Sequence, residues 1–195
     1  MNFVVLYLFV FCGVMVNAAD PNCNIVPITK WAGEASLRNV VLPNPVGLVI
    51  IHHAVTSEPT TDQECERIVN AIRENQRVTL KFDDIAESFL ICGNGKVYEG
   101  AGWSLVGAHT KSYNTKSIGI SFIGDFRGNS HLPNAQAIKA AQDLLACGVT
   151  NDHLTSEYKL IGHRQVSDTI SPGEALQKEI ESWTHWTNSN AVRNL

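Results

Sequence analysis

Apolar residues along this chain change period several times, and each change marks an element. "VGLVIIHH" at 46–53 is an unbroken β-branched run, which predicts a strand buried on both faces that ends in His52 and His53. "TDQECERIVNAIRENQ" then places Cys65, Ile68, Val69 and Ile72 on one helical face, with Thr61 and Glu64 as a capping box, so Cys65 should point inward. "ESFLICGNGKVYEG" predicts strand, turn, strand around Asn94-Gly95. "SIGISFIGDF" at 117–126 is a further buried strand. "PNAQAIKAAQDLLACG" predicts a helix through Ile138, Ala141, Leu144 and Leu145 that stops at Gly148, and a short strand is expected at 158–161. The last helix is expected to begin with Ser171 at the N-cap, Pro172 in the first turn and Glu174 closing a capping box. Strands interleaved with helices predict one α/β domain, a central mixed β-sheet flanked by about three α-helices.

The N-terminus breaks this pattern. Residues 1–19 are apolar and uncharged, with Val16 and Ala18 placed for cleavage, and they read as a secretory signal peptide. The run is barely long enough for a membrane anchor and lacks flanking Lys or Arg. The expected organisation is a signal at 1–19, a domain over 20–187 and a polar, flexible tail at 188–195, which makes the protein secreted and extracellular. A net charge of −4 with both signs intermixed gives no footprint for nucleic acid or anionic membrane. Beyond the signal, Cys23, Cys65, Cys92 and Cys147 form an even set suited to an oxidising compartment. Two disulfides are expected, and three pairings are open.

Candidate chemistry is sparse. Adjacent strand residues face opposite sides, so His52 and His53 cannot enter one site alike. His163 follows a predicted strand, and Ser171 stands eight residues later. His109 sits in a Gly-rich loop near Trp103, a setting typical of ligand surfaces.

"IIHHAVT", "FLICGNGKVYEGAGW", "GAHTKSYNTKSIGISFIGDF", "LLACGV" and "LIGHRQVSDTISPGE" together resemble, in order and spacing, the peptidoglycan recognition proteins, relatives of phage zinc amidases. The resemblance runs from about Cys23 to Trp186. For amidase members it implies a zinc held by two imidazoles and a Cys, with a Tyr beside the metal. Those positions fall on His52, His163, Ser171 and Glu87. A serine hydroxyl stays protonated near neutral pH and offers zinc no charge, so the three ligand positions read as vestigial, and no metal or cofactor is expected.

The resemblance also implies a ligand groove. Its candidates here are His53, Phe82, Glu87, Trp103, His109, Tyr113, Asn114 and His163; Trp103 could instead anchor the core, and Asn114 could hold a turn. Further departures from the usual groove are Ala54 and Gln76. Lys81-Phe82 stands where diaminopimelate binders commonly carry Gly-Trp, which leans toward lysine-type peptidoglycan. The expected function is a secreted receptor that binds bacterial peptidoglycan without cleaving it and signals to other recognition proteins or serine proteases. The alternatives are hydrolases: a rewired zinc amidase using Glu87, or a metal-independent carboxypeptidase using Ser171 activated by His163.

For the disulfides, the resemblance implies Cys23–Cys147. The family's local second bridge loses its partner at Pro59, while Cys92 replaces a usual glycine. One bond, Cys65–Cys92, would account for both departures.

Overall fold

The computed structural model describes residues 23–128 and 130–192; the expected signal peptide lies outside them. In chain order the elements are β1 (Ile25–Val26), α1 (Ile28–Trp31), β2 (Val46–His53), α2 (Asp62–Glu74), β3 (Phe89–Ile91), β4 (Val97–Glu99), β5 (Ile118–Phe122), α3 (Ala135–Thr150), β6 (Leu154–Gly162) and α4 (Glu174–Glu181). The six strands form one sheet in the order β1-β4-β3-β5-β2-β6. Only the β3–β4 hairpin is antiparallel, so the sheet is mixed. β2 lies between β5 and β6, which explains why its sequence is apolar without alternation.

Both faces of the sheet are covered. Val49, Ile51, Phe89 and Ile91 pack with the apolar faces of α3 and α4. The alternate residues Leu90 and Cys92 point the other way and join Cys65, Ile68 and Val69 of α2. Cys65 and Cys92 are bonded across that second layer, with Cα atoms 6.1 Å apart. Cys23 is bonded to Cys147 on α3, with Cα atoms 5.5 Å apart.

Several local expectations need correction. β1 and α1 carry too few residues to show a period, and β6 runs four residues further back than expected because Val46 anchors its start through Leu154. Gly148 does not end α3, which continues to Thr150. A Cβ there would come within 2.7 Å of the Trp103 ring, so the glycine serves close packing. α4 begins at Glu174, and Ser171 is not its N-cap. Gly173 N–H closes a turn on the Ile170 carbonyl (2.7 Å), and Gly173 itself, at φ 96°, accepts the first helical bond from Gln177. A Cβ at Gly173 would collide with the Phe126 carbonyl at 1.8 Å. Residues 189–192 form a 3₁₀ turn that buries Val192 against Leu48, Ile50 and Ile161.

Candidate functional site

The parallel strands end on one side of the sheet, where open α/β folds commonly place ligands. β2 ends there at His53, β5 at Phe122, and β6 delivers His163 directly after Gly162. A groove of about 370 Å³ opens at these ends. The loop 107–110 and the segment 82–87 form its other walls, together with Gln76 and the turn 169–171.

Of the residues singled out in the sequence, His53, Phe82, Glu87, His109 and His163 meet in this groove, alongside His52 and Ser171. Trp103 does not. Its ring is buried, stacked on His153 at 5.0 Å and packed against Phe89 at 4.5 Å, so it anchors the core. Tyr113 and Asn114 also lie outside the groove lining. Tyr113 packs on the Leu48, Ile50 and Ile161 cluster. Asn114 Oδ1 accepts the Thr110 N–H at 2.7 Å and so fixes the loop that carries His109.

The imidazoles are held neutral. Burial, with His109 and His163 close by, keeps His52 well below the usual imidazole range. Burial takes His109 down to about 3, against a backbone hydrogen bond at Ser117 that works the other way. His53 and His163 are lowered by burial too. The ring of His109 lies against the β5 backbone at Gly119, where a Cβ would come 2.3 Å from it; only glycine fits there. His109 Nε2 is buried and has no hydrogen-bond partner within the protein. His53 Nδ1 accepts the Phe126 N–H (3.1 Å), so the proton of its neutral ring sits on Nε2. Thr110 Oγ1 lies 3.3 Å from His52 Nε2 and 3.1 Å from His109 Nδ1. A hydroxyl has one proton to give, so at least one of those two ring nitrogens must carry its own.

Glu87 and Gln76 complete the wall. The turn 75–79 after α2 is π-helical and buries Gln76. Gln76 Oε1 accepts the Ala86 N–H at 2.7 Å, and its Nε2 donates to Glu87 Oε2 at 3.0 Å. Burial pushes the Glu87 carboxyl above its ordinary value, only partly offset by that bond. In the sequence Gln76 was read as a departure from the usual groove and not as a ligand contact, and Thr110 was not singled out.

This donor set does not fit zinc. The His52 and His163 rings are close, with centroids 4.3 Å apart, but His52 Nε2 is turned to Thr110 and Ser171 Oγ accepts the His53 N–H at 3.2 Å. Among the described residues no three His, Cys, Asp or Glu side chains converge as a metal-binding group. Two neutral imidazoles and a hydroxyl lack the anionic or third nitrogen donor that zinc sites use. Ser171 Oγ accepts the His53 backbone amide, and among the described residues no hydrogen bond joins it to an imidazole.

Residues 42–174 match the family described as N-acetylmuramoyl-L-alanine amidase. A peptidoglycan recognition protein of Trichoplusia ni is 46% identical over 182 residues, covering 93% of this chain and 98% of that protein. The solved structure of Manduca sexta peptidoglycan recognition protein-1 superposes with a TM-score of 0.81 at 45% identity, covering 89% of this chain and 100% of that one. Peptidoglycan recognition protein-LE, solved in complex with tracheal cytotoxin, a monomeric diaminopimelic acid-type peptidoglycan, gives a TM-score of 0.82 at 37% identity, covering 86% of this chain and 98% of the other.

Proposed function

The chain belongs to the peptidoglycan recognition protein family, and we propose that it is a secreted receptor that binds muropeptide in the His53–His109–Glu87 groove and signals without cleaving it. The observation that carries this reading is the mismatch between the groove's two capacities. It retains hydrogen-bonding groups suited to a peptide: the His53 Nε2–H and the Glu87 carboxyl beside Gln76. Among the described residues it gathers no three His, Cys, Asp or Glu side chains as a metal-binding group. The relative bound to tracheal cytotoxin supports a muropeptide as the ligand class. Phe82 lines the groove, and Lys81-Phe82 in place of the Gly-Trp common in diaminopimelate binders favours the lysine-type form; downstream recognition proteins or serine proteases are the expected partners.

The test combines calorimetric titration of a lysine-type muropeptide with a digestion assay and elemental analysis. Binding without product release and without stoichiometric zinc is expected. His109→Ala, checked for folding, should weaken binding by about 1–3 kcal/mol, the range for removing a buried hydrogen-bonding group. Cleavage abolished by chelator would make the protein an amidase. Cleavage that survives chelator but not Ser171→Ala would make it a serine peptidase.

A further inference from the structure

A second cleft, of about 580 Å³, opens between α3, β6 and the turn after α4, and it shares no lining residue with the groove. Leu145, Ala146 and Val149 of α3, Tyr158 of β6, and Trp183 and His185 form most of its wall; no Lys, Arg, Asp or Glu lines it. These walls are tied in place. The Cys23–Cys147 disulfide pins the end of α3. Leu160 of β6 holds the segment after α4, its N–H donating to the His185 carbonyl at 2.8 Å and its carbonyl accepting the Thr187 N–H at 3.0 Å. The cleft is therefore formed before any ligand arrives. Tyr158 is the deeply buried polar side chain in its wall, 6% exposed, with its ring stacked on His185 at 4.0 Å. The Tyr158 hydroxyl has no hydrogen-bond partner among the described residues, yet it is not sealed from solvent as the unpartnered Trp103 and His109 nitrogens are. Burial raises its pKa to about 12, so it stays a neutral phenol. Trp183 Nε1–H donates to Glu179 at 3.1 Å, which leaves the Trp183 ring to offer apolar surface alone.

We propose that this cleft is a second ligand site, for an uncharged aromatic molecule that carries one hydrogen-bonding group to meet the Tyr158 hydroxyl. A phenol left unpartnered in an apolar wall costs stability, and a ligand that pairs it recovers that cost. Leu145, Val149 and the Trp183 ring supply the apolar contact that an aromatic body gains from. A charged molecule would give up water and meet no counter-ion in the lining. The volume lies within the range of small-molecule sites.

The experiment titrates the protein with N-phenyl-1-naphthylamine, a neutral aromatic amine whose fluorescence rises in apolar surroundings, and with 8-anilinonaphthalene-1-sulfonate, the same skeleton bearing a sulfonate. Saturable binding of the neutral probe is expected, roughly tenfold tighter than that of the anion because the lining offers the sulfonate no partner. Tyr158→Phe keeps the ring and should weaken the neutral probe about fivefold, the scale of one hydrogen bond. Ala146→Trp, at an exposed α3 position on the cleft wall, should fill the cleft and abolish saturable binding. Melting curves establish that both variants are folded, and the comparison of the two probes on wild type needs no variant at all. No saturable binding, equal affinity for the two probes, or unchanged affinity in either folded variant would overturn the site. The muropeptide groove would be untouched by any of these results, since the two sites share no lining residue.

Discussion

Asp84 and Glu87 stand three residues apart on one segment, and each meets a partner eleven residues earlier in the chain. Their fates are opposite. Asp84 is fully buried and receives Arg73 through both oxygens (2.6 and 2.8 Å), with the Leu37 and Ile85 amides adding two more bonds. Burial opposes its charge, but Arg73 and those amides override the cost and hold its pKa down to about 2. Glu87 faces the groove with only the neutral amide of Gln76 as its side-chain partner, and burial raises its pKa. One acid is closed into a hydrogen-bonded ion pair; the other feels the Arg38 charge only at a distance and has no salt-bridge partner. An acid of the second kind costs stability, and a ligand can supply what it lacks.

The contrast can be broken most forcefully at Arg73. Arg73→Leu leaves Asp84 buried without its cation and should destabilise the domain by about 3–5 kcal/mol, measured by urea unfolding at neutral pH. Acid tests the same pair from the other side. A depressed folded pKa gives stability that is complete above the unfolded-chain value near 4 and is lost as pH falls through about 2. The free energy of unfolding should therefore decline across that window by an amount on the order of 2 kcal/mol. In Asp84→Asn that part of the decline should disappear, and a wild-type profile flat from pH 5 to 2 would contradict the pairing. Glu87→Gln should have the smallest effect on the fold, within about 1 kcal/mol and toward greater stability, because the raised pKa marks a charged form that folding disfavours. A loss as large as that of Arg73→Leu would erase the distinction between the two acids.

Much of the fold was legible in the sequence because periodic burial leaves a periodic trace. The unbroken run of β2 and the inward face of α2 both followed from spacing, and the inward Cys65 lies bonded to Cys92. The candidate site was read less evenly. His53, Phe82, Glu87, His109 and His163 meet in the groove, whereas Trp103 turned into the core. An aromatic residue in a Gly-rich loop looks the same in sequence whether its ring meets a ligand or another helix. What decides it is Gly148, forty-five residues away, whose missing side chain makes room for the ring. Ser171 was misplaced for a related reason. The local pattern Ser-Pro-Gly-Glu satisfies helix-start rules, but the close approach of Gly173 to Phe126 delays the helix by two residues and frees the serine to meet His53.

By itself the sequence determined the α/β class, the order of most elements, the family resemblance and the loss of a thiolate at position 171, since these depend on residue identity and on spacing within single segments. Tertiary structure alone decided which histidine nitrogens are occupied, that Gln76 is pinned between Ala86 and Glu87, and that Asp84 rather than Glu87 received the arginine. Those outcomes depend on distances between segments remote in the chain. A hydrogen bond or an ion pair is won or lost within about an ångström, finer than any pattern along one strand or helix can specify.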